Sequence, residues 1–158
     1  MLNGTPLIVI DPRKIELTHY ADIHLQLIPG TNVALFNGLA KILYQNGDID
    51  EPYLHERVEN YGHFKDFLET LSLTDIIEVT GVDLASMQKA ASLMGASTGT
   101  LFVHGLGLSE LEQGTASVMT LCNLGMLTGS IGKPGSGMLP LRGQNNVQGS
   151  ADMGSMPD

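Results

Sequence analysis

The sequence predicts an α/β domain built on a small parallel sheet flanked by helices, and three observations carry that prediction. Residues 7–10, LIVI, form an apolar, β-branched run cut off by Asp11-Pro12, which is how a strand buried on both faces reads. Residues 101–103, LFV, have the same form and run into Gly105 and Gly107. Elsewhere the apolar period is that of helices, giving the order strand, helices, strand, helix with short glycine turns that parallel sheets need.

In chain order, residues 7–10 read as a central parallel strand. "ADIHLQLIPGTN" alternates Ile23, Leu25 and Leu27 against His24, Gln26 and Ile28, an imperfect period of two that ends in a Pro-Gly turn and predicts a short strand. From Asn32, Val33, Phe36, Ala40 and Leu43 fall on one helical stripe, with Thr31 or Asn32 as N-cap and Gly47 as the stop. Another helix starts after Asp50 with Pro52 in its first turn, and a stripe of Tyr61, Phe64, Phe67 and Leu71 continues the helical region. "GVDLASMQKAASLMG" caps at Asp83, sends Leu84, Met87, Ala91 and Met94 inward, and ends at Gly95. Ser109 and Glu112 stand at capping-box spacing before a helix over residues 118–127. Past that helix, seven of the last 30 residues are glycine, with Pro134, Pro140 and Pro157 between them, and no regular element is expected. With two or three strands to be found, the sheet is small and the chain reads as cut from something larger.

A chain of 158 residues, 42% hydrophobic, supports one domain with a real core. Its net charge of -9 opposes any general attraction to nucleic acid or anionic lipid. Ten of the 17 carboxylates lie between Asp48 and Asp83, opposed there by Arg57 and Lys65 alone, the pattern of solvated helical faces. Cys122 is the only cysteine, so no internal disulfide and no cysteine metal cage can form from this chain; its setting, "VMTLCNLGML", suits a small buried hydrophobe. His19, His24, His55, His63 and His104 show no paired ligand spacing. There is neither a signal peptide nor an apolar run near the ~20 residues of a membrane span, so the expectation is a cytoplasmic protein with no membrane insertion.

Ligands of open α/β sheets bind beyond the carboxyl ends of the strands, so the residues just after strands are the candidate site. Asp11, Arg13 and Lys14 follow the first strand: a carboxylate accepts hydrogen bonds from a ribose or a purine edge, and adjacent cations suit phosphate. Gly30, Thr31 and Asn32 open the first long helix, where backbone N–H groups can meet an anion. Gly105, Leu106 and Gly107 follow the later strand, and the missing side chains allow a ligand close to the backbone. Each set also has a plain local reading: an Asp-Pro turn, a helix cap, a lone G-x-G.

The end of the chain is more specific. "LTGSIGKPGSGMLPLRGQNNVQGSADMGSMPD", from Leu127 onward, closely resembles the segment T-G-N-x-G-K-P-x-x-G-V-x-P-x-R-G-Q-N-N-V-Q-G-A-x-D-M-G of molybdenum- or tungsten-dependent formate dehydrogenase catalytic (alpha) subunits. "VIDPRKIELTHYAD" is similar to that family's strand and Asp-Pro-Arg turn, "LIPGTNVALFNGLAKIL" to its x-P-G-T-[DN]-x-A-L helix start, and "GLGLSE" to its G-M-G-x-x-Q turn. The resemblance covers essentially the whole chain, but only a fraction of a full catalytic subunit.

What the resemblance implies is a partial Rossmann-like domain of the formate dehydrogenase/DMSO reductase type over residues 1–128, followed by a Gly-rich active-site segment over residues 129–158; because glycine and amide residues lose much entropy on ordering and bury little in return, that segment is expected to be mobile in the fragment. The cofactor implied is molybdopterin guanine dinucleotide with Mo or W. Asp11 and Arg13, with Lys14 nearby, would contact the guanosine part; Gly30, Thr31 and Asn32 would line the same pocket; Gly105, Leu106, Gly107 and Glu110 would border the pyrophosphate and pterin. Leu106 stands where the family usually has Met, and Glu110 replaces its usual Gln, putting a potential charge near phosphate. Arg142 matches the family's active-site arginine, which faces formate or its product beside the metal, while Gly143 and Gln144, with Asn145 and Asn146, would approach the pterin. The family's metal-ligating Cys or selenocysteine, its N-terminal iron-sulfur segment and its second dinucleotide domain have no counterpart in these 158 residues. The fragment alone is therefore expected to be inactive, its partners being the remaining domains of the catalytic subunit and electron-transfer subunits. Two other readings stand beside formate oxidation: a related oxidoreductase acting on a substrate such as nitrate, and a non-catalytic nucleotide-binding or assembly module.

Overall fold

A computed structural model describes residues 4–155; the expectation that Pro157 helps break regular structure lies outside them. Strand β1 (Ile8–Ile10) pairs in parallel with β2 (Ile23–Leu25), Ile8 facing Ile23 and Ile10 facing Leu25, after a crossover containing a 3₁₀ turn over Glu16–Tyr20. Five helices follow: α1 (Asn32–Asn46), α2 (Glu51–Arg57), α3 (Tyr61–Thr70), α4 (Leu73–Thr80) and α5 (Leu84–Gly95). The chain continues through β3 (Leu101–His104), the single turn α6 (Leu106–Ser109), α7 (Gly114–Leu127), β4 (Gly137–Pro140) and α8 (Val147–Asp152). β4 pairs in parallel with β3, and the two pairs form separate two-stranded sheets.

The α/β class holds, with four departures from the expected elements. The β1 strand is not central: among the described residues β2 is its one partner. The segment after Gly129 is not featureless, since it supplies β4 and α8. Its strand has two apolar side chains, Met138 and Leu139, and forms because the β3 backbone offers it a ladder; Pro140, which has no N–H to donate, sits at the ladder's end. The Ser109/Glu112 capping box does not form, because Ser109 ends α6 and α7 starts later, with Gln113 as N-cap. In α3 Tyr61 is buried as expected, but its inward companion is Leu68, fully buried, whereas Phe67 is 42% exposed.

Helix α1 is the hub. It packs against α3, α4, α5 and α7, and the expected stripe widens to Leu35, Phe36, Leu39, Ala40, Ile42 and Leu43, all buried. A helix buried on nearly every side belongs at the centre of a core. Gly38 lets α4 come close: a Cβ there would lie 2.9 Å from Ile76 Cγ2. Even Lys41 is buried, its ammonium donating to the Leu68 and Glu69 carbonyls at the end of α3 (3.0 and 3.3 Å), where a cation also meets the negative end of the helix dipole. Gly47 takes the left-handed conformation (φ 74°) that ends α1 as expected. The carboxylates between Asp48 and Asp83 are all exposed or half-buried.

Two small groups fasten the helices to the rest. Fully buried Thr80 donates its hydroxyl to the Ile76 carbonyl (2.7 Å) and accepts from the Val82 N–H (3.2 Å), while its own carbonyl accepts from Ile28 N–H. Asp50 caps α2 through the Tyr53 N–H (3.1 Å) and pairs with Lys133 (2.9 Å), tying the segment after α7 to α2.

Thr80→Val keeps the shape but leaves a buried N–H without its acceptor, so it costs about 1–3 kcal/mol, read as a lower urea midpoint at unchanged slope. The Lys133 ammonium first, and the Tyr53 N–H second, hold the Asp50 carboxyl below its usual range. Stability from a lowered carboxyl is complete above the ordinary value of about 3.9 and lost as pH falls through the lower folded value. Asp50→Asn, which keeps a capping oxygen, is therefore less stable than wild type at neutral pH, and the two converge in acid once the wild-type carboxyl is protonated.

Candidate functional site

Because β1 and β2 are parallel, their carboxyl ends share one edge of their sheet, and the same holds for β3 and β4. The candidate residues collect at these two edges.

At the first, Asp11 follows β1, and its Oδ1 accepts from the Arg13 N–H (2.8 Å), closing a turn through Pro12. Two side chains from the polar positions of the second strand's alternating run brace that turn. His24 Nε2 donates to the Asp11 carbonyl (2.8 Å), which fixes its tautomer, and Gln26 Nε2 donates to the Pro12 carbonyl (2.9 Å). The Arg13 and Lys14 side chains point to solvent. Beyond β2, Gly30 adopts φ 88°, which glycine takes at no steric cost. Thr31 is the N-cap of α1, but its hydroxyl turns back to the Ile28 carbonyl (2.7 Å), so no side chain caps the helix; Asn32 is buried.

At the second edge, β3 runs into Gly105. The Leu141 N–H donates to the His104 carbonyl (2.7 Å), continuing the β4 ladder by one bond, so Arg142 and Gly143 emerge beside the Gly105 turn. Gly143 lies against Leu106, where an added Cβ would come within 2.9 Å of Leu106 Cδ1. Gly107 faces open space, and neither its backbone angle nor a neighbour requires glycine. Glu110 closes α6 through its N–H and is exposed, as are Gln144 and Asn145. The Arg142 guanidinium is exposed and donates from Nη2 to Gln148 Oε1 (2.9 Å).

Gly105, Leu106, Arg142 and Gly143 are thus brought together, as are Asp11 and Arg13. No ladder, hydrogen bond or ion pair joins the two edges among the described residues; β2 packs on α5, β4 on α7, and α1 on both helices. The residues missed from sequence are the ones that hold others in place: His24, Gln26, Gln148 and Asp152. For the first two the signal was the polar half of the alternating run; for the second two it was their spacing of four. His104, the last residue of β3, has a buried Nδ1 with no hydrogen-bond partner.

Two open clefts lie elsewhere. One of about 340 Å³ between α2, α3 and α7 is lined by Leu54, Val58, Tyr61, Phe64 and Met126; burial first, and then the Glu51 carboxylate, push the Tyr61 hydroxyl up to about 12. The other, about 560 Å³, is bordered by Asp48, Asp50 and Lys133. Cys122 is half-buried, and burial pushes its thiol up, which disfavours the thiolate a nucleophile needs. Among the described residues no three His, Cys, Asp or Glu side chains are placed to hold a metal ion, and no helix is long and apolar enough to cross a membrane.

The family model described as molybdopterin oxidoreductase matches residues 1–156. The chain is 41% identical, over 99% of its length, to the "F420-dependent formate dehydrogenase 2 subunit alpha" of Methanococcus maripaludis, and 36% identical over 99% to formate dehydrogenase H of Escherichia coli. It is also 38% identical over 99% to the assimilatory nitrate reductase catalytic subunit of Bacillus subtilis. It spans 23%, 22% and 22% of these relatives. The acetylene hydratase from Pelobacter acetylenicus shares the fold, with a TM-score of 0.79 over 83% of this chain and 18% of that one at 24% identity. The chain belongs to the molybdopterin oxidoreductase family.

Proposed function

We propose that this chain forms one wall of the cofactor site in a longer, cytoplasmic formate dehydrogenase, holding part of a molybdopterin guanine dinucleotide and aiming Arg142 at a small carboxylate. The observation that carries the reading is the β3–β4 ladder, which sets Arg142 and Gly143 directly beside Gly105 and Leu106 at the carboxyl end of a parallel sheet.

The chain's own groups fit such a ligand. Gly107 is a glycine with open space where its Cβ would point and no internal reason to be one, as expected where a ligand passes. His104 Nδ1 is a buried polar atom at the same edge with no internal partner. Asp11, held in its turn by the Arg13 N–H, suits the donors of a guanine or ribose, and the first-turn N–H groups of α1, which no side chain caps, suit phosphate. Glu110 is the discordant member, since a carboxylate beside a diphosphate is repelled.

When bound, the group supplies a metal able to accept two electrons and a place for them to leave toward iron-sulfur clusters on other parts of the protein. What this chain contributes is orientation and charge. The Arg142 guanidinium offers a planar fork of donors matched to a carboxylate, so it binds formate in one orientation and favours charge building on the carboxylate oxygens. Gly143, with no side chain, lets the backbone just after Arg142 pass close to Leu106. Gln144 and Asn145, exposed beside it, are the polar groups for pterin heteroatoms.

The similarity to a nitrate reductase supports a second reading, in which the same wall serves an oxyanion. Dye-linked assays of the longer protein separate the two: formate-dependent reduction is expected, and activity with nitrate but none with formate refutes the formate assignment. Arg142→Lys, which keeps the charge and loses the fork, is expected to lower kcat/KM for formate about 10- to 100-fold, the loss of about 1.5–3 kcal/mol from one charge-assisted bond.

A further inference from the structure

Arg142 is not simply exposed; the chain builds a mount for it. Asn146 adopts the left-handed conformation (φ 53°), which asparagine tolerates better than other side chains, and turns the chain into α8. A Cβ at Gly149 would strike the Asn146 side-chain amide, so a glycine there lets the first turn of α8 close. One turn apart on α8, Gln148 and Asp152 then face the same way. Gln148 accepts from Arg142 Nη2 on its Oε1 and donates from its Nε2 to Asp152 Oδ1, both at 2.9 Å.

The direction of this relay is set at both ends, by a guanidinium that only donates and by Asp152. An ionised carboxylate only accepts, so the amide nitrogen of Gln148 must face it and the amide oxygen must face the guanidinium. A neutral oxygen orients the cation without cancelling its charge, and one hydrogen bond leaves four of the five N–H donors of the fork unspent. A glutamate in the same place would pair with the guanidinium and compete with any anion.

We propose that Gln148, oriented by Asp152, is the positioning residue for Arg142: it fixes the plane of the guanidinium and keeps its charge and remaining donors for an incoming carboxylate. The carboxylate part rests on the function proposed above; the positioning part does not.

Nitrogen-15 NMR of the arginine side chains in the full 158-residue chain tests the mount without cofactor. Arg142 is expected to show slower rotation of its Nη groups than exposed Arg57. That slowing should be lost in Gln148→Ala, weakened in Asp152→Asn and retained in Gln148→Glu. Wild-type Arg142 rotating as freely as in Gln148→Ala overturns the proposal, whatever the substrate. In the loaded longer protein, Gln148→Glu should raise KM for formate about tenfold with a smaller change in kcat, because the new carboxylate cancels the charge the substrate needs. An unchanged KM in Gln148→Glu, alongside a KM raised by Arg142→Lys, overturns the charge-sparing role. A slowed guanidinium together with formate kinetics indifferent to Arg142→Lys upholds the mount and removes the substrate reading instead.

Discussion

The register of β4 on β3 is the constraint on which the candidate site depends. Gly137 faces Leu101 and Pro140 faces His104, so Met138 turns toward α7 and Arg142 leaves the ladder next to Gly105. A slip of one residue would send Met138 to the outer face and displace the arginine. Hydrogen bonds at the start of the ladder hold this register. Fully buried Ser130 accepts from the Thr100 N–H (3.0 Å) and lies 2.8 Å from the Thr128 hydroxyl, and its carbonyl accepts from Ser136 (2.7 Å). A buried polar group this fully satisfied specifies one arrangement, because any other leaves donors unpaired. The Asp50–Lys133 pair adds a second fastening on the outside.

The two sheets are positioned indirectly, through helices that pack on α1. That suits a wall more than a closed pocket: each edge presents backbone, glycine and a few charged groups, and neither encloses a ligand by itself. The face of the β3–β4 sheet turned away from α7 carries Leu101, Val103 and Leu139, each about half exposed. Parallel sheets ordinarily have both faces covered, and the chain spans under a quarter of the relatives it matches. In a protein of their length there is chain enough to cover that face.

Much of the fold was legible because its signals are local. Residues 7–10 and 101–103 announced strands by β-branched and apolar runs, Gly47 announced the end of α1, and Asp83 capped α5 through the Ser86 N–H as its position suggested. Apart from the capping box, lost to a local break between α6 and α7, the failures share one cause: the deciding partner lies far away in sequence. β4 exists because β3 is there to receive its backbone, and the burial of Leu68 rather than Phe67 follows from where α1 passes. The site was legible in a different way. Composition alone gave a polar, glycine-rich tail; the long irregular motif singled out Arg142. What it did not single out was the support, Gln148 with Asp152 on one side and His24 with Gln26 on the other, because a brace is defined by the carbonyl or guanidinium it meets.

The account stands on one claim, that the two strand edges and the segment after β4 face a single pterin nucleotide. Hydrogen exchange of the longer protein, compared with and without molybdopterin guanine dinucleotide, tests it directly. The account predicts that backbone amides at Asp11–Lys14, Gly30–Asn32, Gly105–Gly107 and Gly143–Gln144 are protected together when the cofactor is present. Protection confined to one edge, or absent from both, would contradict it.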